Sequence, residues 1–206
     1  GYQTSSDNSS CTLRRIGDST CQYLSDCSEA VKYSVCQNGS CVCQLGYQVS
    51  NGNTSCLPRK IGDNTCTDMP DCFSAVNHSF CENGTCVCSL GFQVSKDNSS
   101  CIMRKIGDTT CHTLSDCSSA VNNSFCQNQT CLCEIGHHVS KDNTTCSLRK
   151  IGDPTCSTNS DCSWAVTNSI CLNGTCACAI GYHVSLSNTI CVLRKIGDKT
   201  CSENVD

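Results

Sequence analysis

The chain has 206 residues, 26 of them cysteine, with 38% hydrophobic content and 14 basic against 18 acidic side chains for a net charge of -4. That cysteine share marks a disulfide scaffold of an oxidising compartment, and setting the cysteines aside leaves about a quarter of the chain apolar, too little for one large core. The mixed, nearly balanced charge excludes an electrostatic footprint for nucleic acid or an anionic membrane, and no run approaches the apolar length of a membrane span. No basic-then-apolar leader stands at Gly1, so the segment reads as mature, soluble and secreted.

In chain order, residues 1–11 open on Gly1-Tyr2, which corresponds to Gly46-Tyr47, and they read as the tail of a truncated preceding module. Four complete units follow at 12–56, 57–101, 102–146 and 147–191 with a 45-residue period and no insertion or deletion, and 192–206 starts a truncated fifth. Twenty of the 45 positions are identical in all four copies, so the period decides the architecture before any single element does. Cys11 and Cys201 have no partner in this scheme and are expected to pair outside the segment, in a longer chain or on neighbouring chains.

Each unit opens on Ile-Gly-Asp-x-Thr-Cys and reaches its centre at a cysteine cage, CQNGSCVC in the first copy. Asn-Gly between two β-compatible stretches is the strongest local signal for a two-residue type I′ hairpin, because both turn residues need positive φ. Asn38-Gly39 is therefore expected at a hairpin tip with Cys36 opposite Cys41, and strand alternation puts Cys36, Cys41 and Cys43 on one face with Val35 and Val42 on the other. In the third copy Asn128-Gln129 departs from the turn's preference for glycine. Six cysteines allow 15 pairings; joining each hairpin cysteine to one outside the hairpin leaves about six, among which geometry does not choose.

The tip asparagines also open N-glycosylation sequons at Asn38, Asn83, Asn128 and Asn173, and a second series sits in the long last loop at Asn8, Asn53, Asn98 and Asn143. Ile190 removes the corresponding sequon at Asn188, and Asn77 and Asn122 add two more. Two series in register with the modules are expected to clothe the array in N-linked glycans.

Between units the linkers, such as Leu57-Pro-Arg-Lys-Ile-Gly-Asp-Asn-Thr65, keep one length and lack the Gly/Ser richness of a flexible tether. Ile61 is expected to pack on Tyr47 of the preceding unit, Ile106 on Phe92 and Ile196 on Tyr182, with His137 weakening the joint ahead of Ile151; the competing reading buries each Ile in its own module. The Arg and Lys before each Ile are expected to pair loosely with Asp63 and its equivalents.

No catalytic constellation recurs in any register. His78, His112, His137, His138 and His183 occupy scattered unit positions, and Trp164 stands alone where other copies have Glu29, Ser74 and Ser119. These read as surface or loop residues rather than ligands or catalysts, so the chain reads as no enzyme and as needing no cofactor and no metal. A thiolate metal store using Cys-x-Cys is set aside because sequons belong to the oxidising secretory route.

The order C-x5-C-x8-C-x4-C-x-C-x12-C, with Gly-Tyr or Gly-Phe after the fifth cysteine, resembles an epidermal-growth-factor-like module, and Ile-Gly-Asp-x-Thr-Cys with Ser-Asp-Cys-Ser-x-Ala-Val resembles more closely the EB-type modules of secreted invertebrate multi-module proteins. The resemblance covers the whole chain. It implies small disulfide-rich β-hairpin modules with little helix, arranged as a linear tandem array. It also implies first-to-third, second-to-fourth and fifth-to-sixth pairing: Cys21 with Cys36, Cys27 with Cys41 and Cys43 with Cys56; Cys66 with Cys81, Cys72 with Cys86 and Cys88 with Cys101; Cys111 with Cys126, Cys117 with Cys131 and Cys133 with Cys146; Cys156 with Cys171, Cys162 with Cys176 and Cys178 with Cys191. The calcium-binding members carry acidic residues immediately before the first cysteine, where this chain has Thr20.

Such regularity fits a structural specification better than a recognition surface, which varies between copies. The expected function is an extracellular structural protein, a glycosylated rod self-associating into fibres or matrix; the alternative is an adhesion or receptor ectodomain binding through repeated modules.

Overall fold

The computed structural model describes residues 1–198, so the expectation for Cys201 lies outside the described residues. The chain divides into two compact units, Gly1–Ile102 and the part from Met103 onward, each carrying two copies of a disulfide-rich, two-hairpin module.

In the first copy a five-residue helix, Leu24–Ser28, precedes a hairpin of Ser34–Gln37 with Ser40–Cys43. The helix starts where the Asp26 carboxylate takes the backbone N–H groups of Gln22 and Tyr23 at 2.8 and 3.0 Å, filling donors that a helix N-terminus leaves open. Helices Met69–Phe73, Leu114–Ser118 and Asn159–Ser163 begin on Asp71, Asp116 and Asp161 in the same way.

Across the first hairpin Cys36 opposes Cys41 and Val35 opposes Val42, and the tip takes φ of 49° at Asn38 and 79° at Gly39, the type I′ turn that Asn-Gly specifies. Gln129 adopts the same turn at φ 61°, so the third copy keeps its geometry and carries the strain of a side chain in left-handed backbone. Gln129→Gly is accordingly expected to stabilise that module by about 1 kcal/mol while leaving the Asn128 sequon intact, read as slower amide exchange at Cys131; an unchanged exchange rate would show that the turn carries no strain.

A second hairpin pairs Tyr47–Val49 with Cys56–Pro58, and His137–Val139 with Cys146–Leu148, where the sequence suggested only a long loop. Its connection from Ser50 to Ser55 closes on its own hydrogen bonds rather than on a two-residue turn.

Cystine fills most of each core. The disulfides run Cys21–Cys36, Cys27–Cys41 and Cys43–Cys56 in the first copy, and this first-to-third, second-to-fourth, fifth-to-sixth order holds in all four. Each bond closes a loop of 13 to 15 residues, and in the chain-entropy account such a loop contributes about 3 kcal/mol by constraining the unfolded state. Val31, Val76, Val121 and Val166 supply the main buried carbon, and each is followed by a buried Ser whose Oγ donates to the Val carbonyl, as Ser34 does to Val31 at 2.7 Å.

Candidate functional sites: glycan acceptors and module joints

All ten sequon asparagines are exposed. The four tip asparagines stand on type I′ turns. Those of the second hairpin are held more elaborately, with positive φ at Asn8, Asn53, Asn98 and Asn143 and a main-chain tie in which Asn53 O accepts the Ile16 N–H at 2.9 Å and Asn98 O the Ile61 N–H at 3.0 Å. The sequon hydroxyls of Asn77 and Asn122 are Ser79 and Ser124, both buried and both donating to a Val carbonyl. Because Ser34 and Ser169 do the same where no sequon exists, the serine at this position answers to the fold.

Beside Asn98 and Asn143 lie two carboxylates held well below their usual range. Asp97 accepts from the Ser99 and Ser95 hydroxyls, each at 2.7 Å, and from the Ser99 backbone N–H, which brings its pKa to about 2. Hydroxyls of Ser140 and Thr144 with the Thr144 N–H do the same for Asp142, also to about 2. Since the folded value lies below the unfolded 3.8, the ordering these bonds give is complete above about pH 4 and is lost as the pH falls through about 2. A carbon-13 carboxyl titration should show both midpoints near 2, with no counterpart in the first and fourth copies, where Gly52 and Ser187 replace the acid; ordinary midpoints would mean that the loop network does not persist in solution.

The joint between modules is built from the end of one second hairpin and the start of the next module. Ile61 packs against the buried cluster of Cys66, Cys72 and Cys86 in its own module, Ile16 does likewise on Cys21, Cys27 and Cys41, Ile106 is itself part of the buried cluster of the third copy, and Ile196 is fully exposed. Tyr47 instead stacks on Tyr33 of its own module with ring centroids 4.4 Å apart, and Phe92 on His78 at 4.1 Å. The reason is main-chain pairing: Gly62 N–H donates to Cys86 O at 2.8 Å and Cys86 N–H to Asp63 O at 2.9 Å, which lays Ile-Gly-Asp along the hairpin and turns Ile inward.

Only Arg59 and Lys60 then separate the second hairpin from the next module. Arg59 is buried; its N–H extends the hairpin by donating to Gly46 O at 2.9 Å, and its guanidinium donates to Thr65 Oγ1 at 2.9 Å and Thr65 O at 3.1 Å. Arg149 repeats this onto the carbonyls of Pro154 and Thr155 at 2.8 and 3.3 Å. The sequence-based pairing of these cations with Asp63 is thus replaced: Asp63 takes the Lys60 backbone N–H and, across the joint, Gln48 Nε2, both at 2.6 Å. His138 stands in the Gln48 position with Nδ1 3.3 Å from Asp153, and His183 does so 3.6 Å from Asp198. His137 occupies the stacking position held elsewhere by Tyr47, while His112 lies just before the helix Leu114–Ser118, where its backbone N–H donates to the Asp116 carboxylate at 2.7 Å.

Gly46 completes the joint. A Cβ there would lie 3.0 Å from the Ser74 carbonyl carbon and 3.1 Å from Ala75 N of the next module; at Gly136 it would lie 3.2 Å from the Trp164 Cβ. Trp164, 74% exposed, is thus rooted at a joint with its ring in solvent.

No protein-family model and no curated protein sequence matches the chain. What the structure itself supports is an array of cysteine-rich hairpin modules consistent with the epidermal-growth-factor-like type. In each copy three sulfurs, for example those of Cys21, Cys27 and Cys36, lie within 4.8 Å of one another, but all three are spent in disulfides. Cys11 is exposed and unpaired. The many disulfides fit an extracellular protein, and among the described residues no helix is long and apolar enough to cross a membrane.

Proposed function

We propose that this chain is an extracellular structural protein, a non-catalytic, N-glycosylated array of epidermal-growth-factor-like modules of the EB type that assembles into fibres or matrix. The joint carries the reading. A protein that only needs its modules tethered has no use for a buried arginine, a glycine-dependent close approach and a cross-joint hydrogen bond in a two-residue connection, whereas a load-bearing strand needs each joint fixed. Exposed acceptor asparagines in register with the modules support a hydrated sugar coat around such a strand. Electron microscopy of the native protein tests this: filaments with an axial repeat set by the modules are expected, and dispersed short chains would overturn it.

One feature favours the second reading, an adhesion or receptor ectodomain. Trp164 is a large exposed aromatic present in a single copy, and exposed aromatics of this kind anchor protein interfaces. Dispersed chains that retain a partner in a Trp164-dependent pull-down would support that reading instead.

A further inference from the structure

Three residues that depart from the repeat meet in one hollow. Glu134 stands where the other copies have Gln44, Ser89 and Ala179, His137 where they have Tyr47, Phe92 and Tyr182, and Trp164 where they have Glu29, Ser74 and Ser119. Two of the three belong to the third copy and Trp164 to the fourth, yet with Phe125, Ile135 and Leu148 they line a single open concavity of about 440 Å³, all within the unit that begins at Met103. The other copies build the same module without these side chains, so the fold does not require them. The hollow has a fixed floor and a free wall. A Cβ at Gly136 would stand 3.2 Å from the Trp164 Cβ, so the joint holds the root of Trp164 against the third copy while its ring is 74% exposed. Glu134 is the one acid of the lining; it is exposed, and its carboxylate enters no ion pair among the described residues.

We infer that this joint is a docking site for a basic segment of a partner protein, which lays a Lys or Arg side chain across Trp164 with its charged end at Glu134 and an adjacent aliphatic residue on Ile135 and Leu148. The occupant follows from the chemistry of the lining. Aromatic faces attract a cation, an unpaired carboxylate beside them supplies its counter-charge, and aliphatic walls take up the methylene stem that Lys and Arg carry. The chain uses the same contact within itself, where Lys32 Nζ lies over the Tyr33 ring at 4.8 Å from the centroid. A free small cation needs most of its surface enclosed, which an open hollow does not provide, whereas a protein segment closes the open side with its own flanking residues. A sugar needs several convergent hydrogen-bonding side chains, and only Glu134 and His137 offer them here. The net charge of -4 adds long-range attraction toward a basic partner.

The site rests on the second reading above, in which Trp164 anchors a partner, and it names that partner's chemistry; a chain assembled into fibres can carry it equally. Trp164 is the single tryptophan of the chain, so its fluorescence reports on the hollow directly. The full chain is titrated with end-blocked peptides repeating Gly-Leu-Lys or Gly-Leu-Glu, with calorimetry alongside. Saturable binding of the lysine peptide is expected, at least about tenfold tighter than that of the glutamate peptide. Glu134→Gln should weaken it about tenfold, whereas Glu82→Gln, which removes the same charge from an exposed position of the second copy, should leave it at the native value. Trp164→Ser, the residue that Ser74 and Ser119 show the fold to accept, should abolish binding in the calorimeter. Gly136→Ala should weaken binding as well, because it displaces Trp164 from the hollow without altering any side chain that lines it. Equal binding of the two peptides, or native affinity in the Glu134 variant, overturns the basic ligand and leaves Trp164 an apolar anchor, as the second reading has it. Binding of neither peptide overturns the site and that reading together. A Trp164 emission shift that follows the concentration of the chain alone assigns the hollow to a second copy and overturns the partner.

Discussion

Replacing Cys117 and Cys131 together with Ser should unfold the third module and leave the others folded. Both cysteines are 1% exposed, and their module's core is otherwise Ile106, Val121 and cystine. A native disulfide in a domain this small contributes about 2–5 kcal/mol, which is comparable with the whole stability that some 45 residues with little buried carbon can reach. The damage should stay local because each copy has its own buried cluster, as Cys21, Cys27 and Cys41 do in the first and Cys156, Cys162 and Cys176 in the fourth. In a nitrogen-15 correlation spectrum the amides of residues 106–146 should collapse to random-coil positions while those of the first copy keep their dispersion. Removing Cys133 and Cys146 instead, which tie the first hairpin to the second, should loosen His137–Leu148 and spare the helix. Collapse of every module at once would mean that stability is shared along the chain, and survival of the third would mean that its cystine core is dispensable.

Much of this architecture is legible in the sequence because the determinants are local. The 45-residue register, the cysteine order and the Asn-Gly tips act within a few residues of one another, and a type I′ turn needs nothing beyond two residues able to take positive φ. Even Gln129 follows, because two flanking strands and two disulfides overrule its preference. The second hairpin is harder to see, since Ser50–Ser55 contains no two-residue turn and its strands are three residues long. The short helices announce themselves only through Asp26 and its equivalents reaching back to the preceding amides, a pattern that Asp71, Asp116 and Asp161 repeat. The joints are the least legible part. Arg59 looks like a solvent-facing cation until the fold brings the Thr65 carbonyl to it, and nothing in the sequence warns that Thr20, Thr110 and Thr155 take φ of 72° to 78°, a region β-branched residues avoid. Arg14, Arg104 and Arg149 donate to those very threonine carbonyls, so the strained turn and the buried guanidinium depend on each other across distances that no local pattern encodes.

Substituting Ala for Gly46 should open the first joint, and Gly62→Ala should not, although both glycines lie in the left-handed region with φ of 84° and 94°. Each variant incurs the conformational cost of an alanine there, about 1 to 2 kcal/mol. The two differ in what the new Cβ meets: at Gly62 nothing lies within 4 Å, whereas at Gly46 the backbone of Ser74 and Ala75 stands 3.0 to 3.1 Å away. Backbone cannot rotate aside as a side chain can, so the strain at Gly46 is relieved only by moving one module off the other. That movement breaks the Gln48 bond to Asp63 and pulls the Arg59 guanidinium off Thr65, which loosens the end of the hairpin where the Arg59 N–H meets Gly46 O. Amide exchange at Arg59 should then accelerate by more than about tenfold in the Gly46 variant and stay near the native rate in the Gly62 variant. Gly136→Ala should act in the same way on Arg149, whose N–H donates to Gly136 O at 2.9 Å. Equal exchange in the Gly46 and Gly62 variants would show that the close approach does not hold the modules together, and a fibre built on fixed joints would lose its physical basis.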